Sequence, residues 1–175
     1  MYKFTHDQTV RLANLGYTPS EIAERLRLPK SLAGNFHLRG YYGTLSHNSK
    51  AVYQHYFGWY QGNPAQLNPL PPEQSSVRYV EFMGGAEAIL HKASESMQRG
   101  EYRWVAEVVN HAVFADPSNT EARNLQADVL EQLGYQAESS TFRNSYLMGA
   151  QELRQGPPQR TTAHVRVRSL IRAMT

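Results

Sequence analysis

Three stretches in the second half of the chain carry apolar residues at helical spacing. Trp104, Val105, Val108, Val109, Ala112 and Val113 form one stripe, Ala122, Leu125, Val129, Leu130 and Leu133 a second, and Phe142, Tyr146, Leu147, Ala150 and Leu153 a third. Small residues at such contacts let helix axes approach and large ones fill the grooves between them, so the pattern predicts antiparallel helices sharing a core. Gly100, Tyr102, Ala106, Ala112 and Pro117 fall in tetratricopeptide-like order, and Gly134, followed by Tyr135, lies 34 residues after Gly100.

The first half reads as shorter helices. Asp7 to Leu15 carries Val10, Leu12 and Leu15 and stops at Gly16, which can take a left-handed cap conformation. Thr18 is placed to cap the next helix, with Pro19 at its first position and Glu21 at the capping-box position. Ile22, Ala23 and Leu26 form its apolar face and Pro29 ends it; Lys30 to Leu38 reads as a third short helix. Pro64, Pro69, Pro71 and Pro72 cannot donate backbone hydrogen bonds and mark a linker. Glu73 to Phe82, stopped by Gly84 and Gly85, and Ala86 to Gln98, stopped by Gly100, lead into the striped region. The expected fold is all-α: a short helical segment over 1–62, antiparallel tetratricopeptide-like hairpins over 63–156, and a mobile tail over 157–175.

Composition narrows the functional classes. A net charge of +3, from 18 basic and 15 acidic side chains, is too mild for a dedicated nucleic-acid binder. With no cysteine there is no disulfide, thiolate metal site or cysteine nucleophile. No stretch approaches the roughly 20 apolar residues of a bilayer span, and Met1 to Leu15 is too polar for a secretory signal. The seven histidines form no HxH, HExxH or HxxxH pair, so a complete zinc site within the chain is not expected. His111, beside the valine stripe, reads as a partly buried, hydrogen-bonded histidine.

Two segments invite a more specific reading. Thr18 to Gly40 has the outline of a helix-turn-helix whose second helix carries Lys30, Asn35, His37 and Arg39, although its helices are short and its surroundings weakly basic. Arg39 to Tyr53 combines a guanidinium, an ammonium group, tyrosine hydroxyls, an asparagine and glycines that bring backbone amides close to a ligand. A sulfate or phosphate ester suits those donors, but on composition alone the stronger reading is that the tyrosines and Trp59 form a packing cluster whose hydroxyls reach solvent.

The segment RGYYGTLSHNSKAVYQHYFGWYQGNPAQLNPLPP also resembles the junction between the metallo-β-lactamase-like catalytic domain and the dimerisation domain of alkyl sulfatases. The resemblance continues through RYVEFMGGAEAILHKA, through GEYRWVAEVVNHAVFADPSNTEARNLQADVLEQLGYQAES and through NSYLMGAQELR, covering about Tyr2 to Arg154. It implies hydrolysis of primary alkyl sulfates such as dodecyl sulfate to alcohol and sulfate, with two zinc ions held by a THxHxDH motif and further ligands upstream of Met1. No catalytic or metal-binding residue then lies in this chain, which alone is expected to be inactive. Tyr53 matches the tyrosine expected to bind the substrate sulfate, with Arg39, Tyr42, His47 and Asn48 as weaker candidates for that edge of the pocket.

On this reading 1–62 is the helical end of the catalytic domain and 63–156 a dimerisation domain that pairs two subunits. The closing SLIRAMT resembles the lead-in to a sterol-carrier-like domain. The implied enzyme is soluble and bacterial, often periplasmic or secreted. The competing expectation is a stand-alone tetratricopeptide-like interaction module.

Overall fold

The computed structural model describes residues 1–156, and the expected mobile tail at 157–175 lies outside the described residues. Everything regular among the described residues is helical. Helix α1 (Tyr2–Asn14) starts five residues before the expected Asp7, while α2 (Pro19–Arg25) is set by the expected capping box. The Thr18 hydroxyl accepts from the Glu21 backbone N–H, and the Glu21 carboxylate takes the Thr18 backbone N–H at 2.8 Å. Two of the helix's orphan donors are thereby satisfied.

The expected helix from Lys30 to Leu38 is broken in two. A four-residue helix, α3 (Lys30–Ala33), gives way to a 3₁₀ turn at Phe36–Leu38, where the Asn35 side chain accepts from the His37 N–H. Asparagine here offers the backbone a local turn in place of helix continuation. The helix-turn-helix outline therefore lacks a recognition helix: four residues make about one turn, too short to lay several side chains along a DNA groove.

Helix α4 (Leu45–Phe57), capped by the Thr44 hydroxyl, runs through the aromatic-rich segment and packs on both α1 and α2. The small unit they form buries Leu12, Ile22, Ala23 and Leu26, together with Thr5, Thr9 and Ser49. Those hydroxyls cost little to bury because each donates within its own helix, Thr9 to the Thr5 carbonyl at 2.6 Å and Ser49 to that of Ser46 at 2.8 Å.

After the proline-rich stretch come α5 (Pro72–Phe82), α6 (Ala86–Gln98), α7 (Tyr102–Ala115), α8 (Thr120–Gln136) and α9 (Ser140–Gln155). The core gathers Ile89, Leu90 and Ala93 from α6, Val105, Val109 and Ala112 from α7, and Ala122 and Val129 from α8. Helix α7 lies at the centre, packed on α5, α6 and α8, and α9 closes the layer against α8. His111 takes the expected structural role: its Nδ1 pairs with the buried Ser76 hydroxyl at 3.1 Å and its ring lies on Tyr79, joining α7 to α5. Arg154 ties α9 to α8 through Asp128 and Glu131.

Two details depart from the stripe pattern. Trp104 opens α7 on its flank and is 57% exposed. Gly100 and Gly134, 34 residues apart, occupy different positions: the first ends a helix with φ +77°, whereas the second is buried inside α8. No helix of the described residues is long and apolar enough to cross a membrane.

Candidate functional site

The segment from Arg39 to Tyr53 splits into an irregular strip and the first turns of α4. The strip is fastened to the turn between α8 and α9. The buried Ser139 hydroxyl and the Thr141 hydroxyl both donate to the Tyr42 carbonyl, at 2.5 and 2.7 Å, and the Ser140 N–H donates to the Tyr41 carbonyl at 2.7 Å. The Arg39 guanidinium pairs with Glu138, and the His47 ring meets Phe142 edge-on at 4.0 Å. A cavity of about 330 Å³ lies along this seam, lined among others by Leu38, Arg39, Gly43, Leu45, Ser139 and Phe142. At Gly43 a Cβ would sit 3.0 Å from the Asn48 side-chain oxygen, so any larger residue there needs that amide to give way.

The five residues expected at a sulfate do not form one cluster. Arg39 lines the cavity, but its charge is engaged by Glu138 and its guanidinium lies 5.3 Å from the Tyr41 ring centre. Tyr42 uses its carbonyl for the seam and leaves its side chain 77% exposed. Burial and the nearby Lys50 ammonium lower the His47 pKa from its ordinary value, so that imidazole is neutral at pH 7 and supplies no positive charge to an anion. Asn48 packs beneath Gly43.

Tyr53 stands apart. It lies roughly 140° around α4 from Asn48 at about 100° per residue, half-buried, with its ring 4.9 Å from that of Phe57. Lys50 sits one turn before it, so a cation and a phenol share that side of α4. Ser139, Thr141, Glu138 and Phe142 were not legible as partners of this segment. They lie nearly a hundred residues away, and nothing in the spacing of one sequence joins them to Tyr42. Among the described residues no three His, Asp or Glu side chains converge as a metal site would need.

Residues 18–156 match the protein family described as alkyl sulfatase dimerisation. The match crosses the proline-rich stretch and takes in α2 to α4 as well as the helical layer. The chain is 65% identical over 160 residues to an alkyl/aryl-sulfatase of Saccharomyces cerevisiae, covering 91% of this chain and 25% of that protein. It is 58% identical over 174 residues to a linear primary-alkylsulfatase of Pseudomonas sp., covering 99% and 26%. The solved structure of a stereoselective inverting sec-alkylsulfatase from Pseudomonas sp. superposes with a TM-score of 0.88 at 50% identity, covering 90% of this chain and 25% of that one. The chain thus spans about a quarter of the length of the relatives it matches. With most of its length inside the family match and its helices superposing on a solved relative, the chain belongs to the alkyl sulfatase dimerisation family.

Proposed function

We propose that this chain is the self-association region of an alkyl sulfatase, pairing two subunits and lending the Tyr53 side of α4 to the edge of the sulfate pocket. The observation that carries the reading is the match to the dimerisation family over residues 18–156, in a chain at least half identical to alkyl sulfatases along nearly its whole length. The linear primary-alkylsulfatase among those relatives favours a primary alkyl sulfate, such as dodecyl sulfate, as the substrate of the whole enzyme. The two zinc ions implied by the resemblance do not fit the described residues, which offer no converging ligand set. This chain's own part is association and positioning.

Sedimentation of the chain across a concentration series tests the association: a monomer–dimer equilibrium is expected, and a monomer at every concentration would overturn it in favour of the stand-alone interaction module. For the pocket edge, Tyr53→Phe in the alkyl sulfatase that contains this chain is expected to lower kcat/KM for dodecyl sulfate about tenfold or more, the loss of one hydrogen bond to a charged group. Zinc content should stay unchanged. Kinetics identical to the parent would remove Tyr53 from the pocket.

A further inference from the structure

Phe82, the last residue of α5, is 93% exposed, the most exposed large apolar side chain among the described residues. A hollow opens on each side of it. One, of about 250 Å³, is floored by the buried Ile89, Ala93 and Val105 and walled by Met83 and the half-open Trp104. The other, of about 530 Å³, lies between Leu70, Pro69 and Tyr79. Leu70, Tyr79, Phe82 and Trp104 are all exposed, so an aromatic and aliphatic face runs continuously from the proline-rich stretch to the start of α7. Folded monomers seldom leave so much contiguous apolar surface to water.

We infer that this face is where two copies of the chain meet, each Phe82 entering the Ile89–Trp104 hollow of the other. The inference rests on the self-association reading and locates it. A two-fold contact needs one patch that complements itself, and a projecting ring beside a hollow of side-chain size on the same face meets that need. The occupant is a second copy because the face lies wholly inside the region matched to a dimerisation family. The charges agree with that pairing. Glu81 precedes the projecting ring and Lys92 lines the hollow that receives it, so the two-fold brings opposite signs together. A buried aromatic anchor in a desolvated pocket is the kind of group that dominates such contacts. Tyr41 and Tyr42, by contrast, lie on the irregular strip already fastened to the α8–α9 turn.

Sedimentation equilibrium of the full chain and of Phe82→Ser tests the placement, with Trp104→Ala as a second variant of the same hollow. Tyr135→Ser, at an exposed aromatic outside this face that is more open than Trp104 and less open than Phe82, is the control. Circular dichroism checks that each remains helical. Phe82→Ser and Trp104→Ala are each expected to weaken the dimer about tenfold or more, and Tyr135→Ser to leave it unchanged. A dimer whose dissociation constant survives both substitutions, or falls away as much with Tyr135→Ser, overturns the placement and leaves the association reading standing. A wild-type chain that never dimerises overturns both.

Discussion

Val109→Asp is expected to leave the helical layer unfolded at room temperature, seen as loss of the cooperative transition in urea followed by far-ultraviolet circular dichroism. Val109 is fully buried in the middle of α7, the helix that packs on α5, α6 and α8 at once. A carboxylate there has no route to water along its own helix. Its neighbours in the core are apolar, Val105 and Ala112 on α7 and Ile89, Ala93 and Val129 opposite. Ionised, the group carries a desolvation penalty of many kcal/mol, so it would bind a proton. Even the neutral acid, without a partner, costs about 2–7 kcal/mol on transfer from water, and the lost valine contacts add about 1–3 kcal/mol. Domains of this size are stable by about 5–15 kcal/mol, so the two losses together consume most or all of it. Val109→Ala separates packing from charge: it should lower the urea midpoint while leaving the transition cooperative. A Val109→Asp midpoint close to that of the wild type would mean that α7 is not at the centre of the layer.

The centre of α7 was legible because its stripe is long and strongly apolar, and the same holds for the boundaries of α6, where glycines stop the helix at both sides. Thr18, Pro19 and Glu21 gave away the start of α2 through chemistry that acts over three residues. Legibility failed where burial is carried by small polar groups. Helix α4 buries only Ser49 completely, and α1 buries Thr5 and Thr9 beside Leu12, so neither shows an apolar face of the usual kind. The tyrosines and Trp59 around α4 have the composition of a loop with ligand-binding donors, yet Tyr41, Tyr42, Tyr56 and Trp59 are exposed. The partners of the strip at 39–44 were hidden for a related reason. Tyr42 is held through its backbone carbonyl by Ser139 and Thr141, an interaction that depends on no property of the tyrosine side chain. Trp104 shows the reverse error: a residue at core spacing left open on the flank of its helix, beside Phe82.

Gly134 and Gly149 both lie in helices, yet alanine is expected to have opposite effects at the two positions. In each case removing glycine from a helix interior favours folding by about 1 kcal/mol, because the unfolded chain loses backbone freedom. At Gly149 the new Cβ would meet only the Leu130 Cδ1 methyl at 3.3 Å, the mobile end of a side chain that can turn aside. The propensity gain survives, and Gly149→Ala should leave the melting temperature unchanged or raise it by about 2–4 °C. At Gly134 the Cβ would lie 2.9 Å from Leu147 Cδ2, 3.0 Å from Leu147 Cγ and 3.4 Å from Tyr146 Cβ. A branch-point carbon is not cleared by rotating the methyls beyond it, and with the Tyr146 Cβ close as well the expected relief is a shift of α9 away from α8. Overpacking of that kind costs about 1–3 kcal/mol, enough to outweigh the propensity term, and Gly134→Val, with two further methyls in the same gap, should cost about 3 kcal/mol or more. The displacement also reaches the seam, because the turn that carries Ser139 and Thr141 joins these two helices. Weakened protection of the Ser140 N–H against hydrogen exchange is therefore expected in Gly134→Ala and not in Gly149→Ala. Equal stabilisation by alanine at both positions would show that α8 and α9 do not approach as closely at Gly134 as their small-residue contact implies.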